Sequence, residues 1–135
     1  MSRSYPKLSP AEFELMKLLW KLERATVAEV REAHRASHPN GELAYTTVMT
    51  LLGRLVDKEA ARVEKDKQPF RYRPAVRRMT ILRERLRDFV STTFDDDAAA
   101  LVAQLVETDA LTVGALANLV AVLAQAGEAG SDGGR

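Results

Sequence analysis

Three helical segments, a short alternating hairpin and a further set of apolar helices succeed one another along 135 residues. That order predicts a mainly α fold: a winged helix-turn-helix DNA-binding domain over residues 1–76, a helical dimerisation domain over 77–126 and a flexible tail over 127–135. Two further observations point the same way. The third helical segment sets an apolar face against a face rich in threonine. The charge is also split. Residues 1–87 carry 19 Lys/Arg against 11 Asp/Glu, a balance of +8, and residues 88–135 carry one Arg against 8 acids, a balance of −7. The net charge of +1 is their cancellation. Such asymmetry marks a nucleic-acid-binding part joined to something else.

Composition narrows the class. At 46% hydrophobic residues the chain can build a core. The absence of cysteine excludes a disulfide scaffold, an iron–sulfur cluster and any thiolate metal site, and fits a reducing cytoplasm. No apolar run approaches the ~18 residues needed to cross a membrane. Met1-Ser2-Arg3-Ser4-Tyr5-Pro6 has no apolar core of a secretion signal. A cytoplasmic, nucleoid-associated protein is expected.

Ser9-Pro10-Ala11-Glu12 opens the first helix: Ser9 and Glu12 form a capping box around a proline at the first helical position. Phe13, Met16, Leu19 and Trp20, with Leu15, Leu18 and Leu22, follow at helical spacing and read as core. Thr26 and Glu29 form a second capping box, opening a short helix that buries Val27, Val30 and Ala33. His38-Pro39-Asn40-Gly41 is a loop. The third helix runs from Leu43 or Ala44 to Lys58. Val48, Leu51, Leu52, Leu55 and Val56 make its apolar face. Tyr45, Thr46, Thr47, Met49, Thr50, Arg54 and Asp57 lie opposite. Segments 61–65 and 70–74 alternate in character around the turn Asp66-Lys67-Gln68-Pro69, which predicts a β-hairpin. Ala75 to Phe94 is helical again, with Val76, Met79, Leu82, Leu86, Phe89 and Val90 on one side. The triplet Asp95-Asp96-Asp97 can cap a helix from Ala98 to Glu107, and Thr112 one from Val113 to Gln125, with Gly127 as its stop.

In a winged helix the third helix enters the major groove and the hairpin lies along the backbone. Tyr45, Thr46, Thr47, Met49 and Thr50 offer hydroxyls and methyl contacts to base edges, and Arg54 lies further along, placed for phosphate. The wing supplies Arg62, Lys65, Lys67, Arg71 and Arg73. Residues 54–87 carry 12 basic and 5 acidic groups, a surface whose DNA affinity falls steeply with salt. The arginines between 77 and 87 are open to two uses, phosphate contact or pairing, either with Glu84 and Asp88 within the helix or with the acidic region after it.

Leu8-Ser9-Pro10-Ala11-Glu12, Leu19-Trp20, Leu43-Ala44-Tyr45-Thr46-Thr47-Val48-Met49-Thr50, Arg54-Leu55 and Tyr72-Arg73-Pro74 resemble the BlaI/MecI penicillinase-repressor family over residues 6–126. The resemblance implies a bacterial transcriptional repressor that binds palindromic operator DNA as a homodimer joined through C-terminal helices. In many members a membrane-bound sensor protease cuts the repressor at an Asn-Phe bond, for which this chain has Gln104-Leu105. The copper-sensing branch, with its cysteine-rich tail, is excluded. The chain also has Glu59-Ala60 where a glycine often follows the recognition helix, and Gln68-Pro69 in the wing turn.

Leu101, Leu105, Leu116, Leu119, Val120 and Leu123 belong to helices with more apolar surface than a small unit can bury alone, which predicts a symmetric dimer. No catalytic constellation is evident. His34 and His38, at i and i+4, lack a matching carboxylate array and read as surface histidines. Asp95-Asp96-Asp97 reads as a helix cap. No enzyme activity, cofactor or metal is expected. Two other readings are a small-molecule-responsive winged-helix regulator and an adaptor that uses the fold for protein contacts without DNA.

Overall fold

The computed structural model describes residues 6–133, so Met1 to Tyr5 and the last two residues of the expected tail lie outside the described residues. The chain divides into two compact units, Met1–Arg85 and Leu86–Arg135.

In the first unit the order is α1 (Pro10–Leu22), β1 (Ala25–Thr26), α2 (Val27–Ser37), α3 (Tyr45–Asp57), β2 (Ala61–Glu64), β3 (Arg71–Pro74) and the start of α4 (Arg78–Phe94). Both capping boxes form as the sequence predicts. Ser9 Oγ accepts from Glu12 N at 3.1 Å and Ser9 N donates to Glu12 Oε1 at 2.8 Å. Thr26 and Glu29 repeat the pattern. Leu15, Met16, Leu19, Val30, Val48, Leu52 and Leu55 are fully buried at the meeting of α1, α2 and α3. Leu22, expected in this core, lies at the solvent-facing end of α1 and is exposed.

Three strands, where the sequence predicts a hairpin alone, form an antiparallel sheet in the order β1-β3-β2. The two residues of β1 are too few to show an alternating pattern. They pair Ala25 with Tyr72 and Thr26 with Arg71. Across the hairpin Val63 faces Tyr72, Arg62 faces Arg73 and Glu64 faces Arg71. Tyr72 packs on the core, so the alternation of a strand puts the four charged residues on the other face. The Gln68-Pro69 peptide in the wing turn is cis.

The helix expected from Ala75 begins at Arg78. Ala75 N instead donates to Ala60 O at 2.8 Å, prolonging the hairpin, and Val76 O accepts from Trp20 Nε1 at 3.0 Å. Ile81 is the buried residue of α4, whereas Met79, Leu86 and Phe89 of the expected apolar side are exposed. Arg85 is also held to the first unit: its guanidinium lies 3.9 Å from the centre of the Phe13 ring. These anchors carry the first unit to Arg85, past the expected boundary at 76/77.

The second unit holds the rest of α4, then α5 (Ala98–Glu107) and α6 (Val113–Gly133). Of the expected capping triplet it is Asp97 that caps α5, through Ala100 N, and Thr112 caps α6 as predicted, through Ala115 N. The expected stop at Gly127 is not used. No described glycine has a positive φ, and α6 continues to Gly133 through part of the expected tail. Among the described residues, no helix is long and apolar enough to cross a membrane.

Candidate nucleic-acid interface

The face of α3 turned from the core is exposed along its length. Tyr45, Thr46, Thr47, Met49, Thr50 and Arg54 are all exposed, while Val48, Leu51, Leu52 and Leu55 hold the opposite face in the core. The period of 3.6 residues therefore separates a packed face from an exposed polar one on a single helix. Thr46, Thr47, Thr50 and Arg54 line one shallow open cleft with Leu51. Ala44 precedes α3 and provides no side-chain cap, in contrast to Ser9 and Thr26. The first-turn amides of α3 have no partner within their own helix.

Arg62, Glu64, Arg71 and Arg73 share the outward face of the hairpin. Glu64 binds two arginines there. Its Oε1 lies 3.2 Å from Arg24 Nε, and its Oε2 lies 3.3 Å from Arg73 Nε. Arg73 is thus paired in charge with an intramolecular carboxylate, while its Nε makes no hydrogen bond. Arg71 and Lys67 border an open cleft with Arg24, Glu64, Asp66 and Pro69. Lys65 and Lys67 are exposed. The sequence reading missed Arg24 and the bridging role of Glu64. Only the pairing of β1 with β3 brings residue 24 to the wing, and a two-residue strand leaves no periodic signal. Tyr72 faces inward. Burial first, and then Tyr45, push its phenol above the ordinary value.

α3 is tied down at both ends. At its C-terminus Lys58 Nζ donates to Glu12 Oε1 at 2.6 Å and to Lys7 O at 2.8 Å. Burial alone would raise the Glu12 carboxyl. The hydrogen bonds from Lys58 and Ser9 outweigh it and hold the group below its ordinary value. Ahead of α3, Arg31 Nε donates to Leu43 O at 2.9 Å and Arg31 Nη2 to Glu42 Oε1 at 3.2 Å.

The histidines are not both at the surface. His34 is buried and stacks on His38 with ring centres 4.1 Å apart, while His38 Nε2 lies 3.5 Å from Glu14. His34 projects toward the core because it stands one turn after Val30 on α2. Burial first, and then the neighbouring His38, lower its pKa against the opposing pull of Glu14. Its Nδ1 is buried without a hydrogen-bond partner. No group of three or more possible metal ligands occurs among the described residues.

In the second unit the residues expected at a dimer face are not buried. Leu101 and Leu116 are half-buried, and Leu105, Leu119, Val120 and Leu123 are exposed. The Gln104-Leu105 bond lies within α5, where Gln104 Nε2 donates to Glu107 at 2.7 Å.

An exposed threonine-rich third helix beside a basic three-stranded wing defines a winged-helix DNA-binding transcriptional regulator. The chain belongs to the penicillinase repressor family, whose family model covers residues 8–125. It is 26% identical over 111 residues to the penicillinase repressor of Bacillus licheniformis, across 82% of this chain and 84% of that one. It is 38% identical over 68 residues to the transcriptional regulator BlaI of Mycobacterium tuberculosis, across 50% of this chain and 48% of that one. Among solved structures, RosR of H. salinarum superposes with a TM-score of 0.51 at 13% identity, over 77% of this chain and 94% of that one. That last likeness is one of fold alone.

Proposed function

We propose that this chain is a bacterial repressor that binds palindromic operator DNA in the cytoplasm as a homodimer. Release follows inactivation of the C-terminal unit, with a membrane-bound sensor protease as the agent. The observation that carries the reading is the outward face of α3, on which Thr46, Thr47, Thr50 and Arg54 stand together and exposed. Threonine hydroxyls and methyls suit base edges and the thymine methyl. Phosphate oxygens suit the open amides at the positive end of α3. Arg71, Lys65 and Lys67 follow the backbone from the wing, and Arg73 adds charge softened by Glu64. Tyr45 and Met49 flank the threonines.

The dimer brings two such surfaces to two half-sites. Leu105, Leu119, Val120 and Leu123 are apolar and exposed in the single chain, and a second copy offers the same surface in return. Leu101 and Leu116 extend that face. Cleavage at Gln104-Leu105 requires α5 to open first, because a protease takes extended chain.

The test compares two variants on a duplex selected by the full chain from a randomised pool and on sonicated genomic DNA. Thr47→Ala should relax preference for the selected duplex by about 10-fold, the worth of one base contact. Arg71→Ala should weaken binding to both DNAs alike and reduce the salt slope by about 1. If neither variant changes binding, α3 and the wing do not read DNA, and the adaptor reading takes their place.

A further inference from the structure

We infer that Arg31 is a positioning residue for the DNA-reading helix, fixing the start of α3 while touching neither base nor phosphate. The inference rests on the proposed reading of α3 and adds a determinant of specificity outside the recognition surface.

The start of α3 is held unlike the starts of its neighbours. α1 and α2 begin in capping boxes, in which the helix's own side chains set its first turn. α3 begins at Ala44, which has no such group. The connection before it contains Pro39, Asn40 and Gly41, closed by a backbone bond from Gly41 N to His38 O at 3.0 Å. The side-chain hydrogen bonds described for residues 42–44 both come from Arg31 on α2. A guanidinium is a rigid fork. With one prong on the Leu43 carbonyl at 2.9 Å and another on the Glu42 carboxylate at 3.2 Å, it fixes both the position and the rotation of the segment. Leu43 also packs its side chain on the core, so the carbonyl held by Arg31 belongs to an anchored residue.

The charge arrangement separates this role from phosphate binding. The Glu42 carboxylate offsets the Arg31 charge locally, and Arg31 Nε is committed to the Leu43 carbonyl, so neither group is directed at phosphate in this arrangement. Tyr45, Thr46 and Thr47 follow Leu43 within one turn. A shift of that turn misplaces all three against base edges, whose hydrogen bonds are directional. Backbone contacts from the wing do not depend on it. Loss of Arg31 therefore acts on the specific complex and spares the non-specific one.

The full-length chain and its Arg31→Ala, Arg31→Lys and Glu42→Gln variants are titrated with the selected duplex and with sonicated genomic DNA over a salt series. Arg31→Ala should bind the selected duplex about 10-fold more weakly, the equivalent of one lost base contact, with non-specific affinity and salt slope unchanged. Arg31→Lys, a single flexible donor, should fall between parent and Arg31→Ala. Glu42→Gln keeps the bond to Leu43 and should leave the ratio of specific to non-specific affinity near that of the parent. Equal losses on both DNAs with a salt slope reduced by about 1 would make Arg31 a phosphate contact and overturn the inference. So would stronger non-specific binding by Glu42→Gln, which would mean that Glu42 had masked a phosphate-binding charge. Circular dichroism establishes that each variant is folded. If Arg31→Ala is not, an unchanged specificity ratio in folded Arg31→Lys overturns the inference. Thr47→Ala keeps the two readings apart. Relaxed preference in Thr47→Ala beside an unchanged ratio in the Arg31 variants refutes positioning alone, and unchanged preference in Thr47→Ala refutes base reading by α3.

Discussion

Glu59 closes α3 at a cost that can be measured. Its φ is 62°, in the left-handed region. The amides there satisfy the last carbonyls of α3: Glu59 N donates to Val56 O and Ala60 N to Leu55 O, both at 2.9 Å. This is the helix ending that glycine favours. A residue with a Cβ is penalised in that region by about 1–2 kcal/mol. Glycine loses about 0.5–1 kcal/mol more chain entropy on folding. The difference favours Glu59→Gly by about 0.5–1 kcal/mol. Glu59→Ala is the control, because it removes the carboxylate and keeps the Cβ. The assay is urea unfolding followed by fluorescence of Trp20, the sole tryptophan, which packs against the core of the first unit. Glu59→Gly should raise the midpoint and Glu59→Ala should raise it less. If alanine stabilises as much as glycine, carboxylate repulsion and not backbone strain is the cause, and the reasoning fails.

Three further outcomes are expected. Glu12→Gln removes a buried carboxylate that serves both the α1 capping box and Lys58, and should cost about 2 kcal/mol at neutral pH. The folded pKa of Glu12 lies below its ordinary value, so its contribution is present above the unfolded pKa and is lost as pH falls through the folded one. The gap between parent and variant should therefore close in acid urea titrations, and a constant gap contradicts the assignment. His34 acts in a higher window. Its folded pKa is depressed, so below about 6.5 the unfolded chain takes up protons that the folded chain refuses. Parent stability should decline from that pH downward and His34→Gln should flatten the decline; parallel profiles rule it out. Finally, Leu119→Glu with Leu123→Glu should convert a dimer to a monomer by light scattering at micromolar concentration. A dimeric double variant would place the interface elsewhere.

Helix starts were legible where a capping side chain stands; the start expected at Ala75 was not, while the ends expected at Lys58, Phe94 and Glu107 fall within one residue of those observed. A start is announced by a side chain that bonds the backbone three residues on, and Ser9, Thr26, Asp97 and Thr112 each do so. An end is normally announced by glycine. Here the non-glycine residues with positive φ are Glu23, Glu59, Asp95, Asp96 and Asp109, all acidic, and no described glycine has positive φ. Acidic side chains carry no such signal, and Gly127 gave a false one. The apolar face of α3 was legible because it repeats over three turns. Ile81 was not, because it is the single fully buried residue of a helix on which Met79, Leu86 and Phe89 of the expected apolar side are exposed. On the recognition surface the exposed residues of α3 followed from the helical period alone. Arg24, Glu64 and Arg31 did not, because each acts through a partner distant in sequence. Such pairings are set by the tertiary fold and leave no local pattern.

The distribution of burial explains why the C-terminal unit needs a partner on the proposed reading. Among its described residues through Gly127, none is buried, whereas the first unit has a continuous core. α5, with 10 residues, is of a length that is marginal in water without packing. α5 and α6 are rich in alanine, leucine and valine and almost free of basic charge, so neither solvation nor DNA accounts for their surface. Association with a second copy, as proposed, would remove exposed leucine and valine from water, and the acidic surplus would disfavour contact of this unit with DNA phosphates. Order in the second unit then depends on dimerisation. Opening α5 at Gln104-Leu105 would be cheapest in the free monomer and suppressed in the dimer, by simple mass action. On this basis the same weak packing that makes the unit depend on its partner makes it a practicable place to end repression by proteolysis.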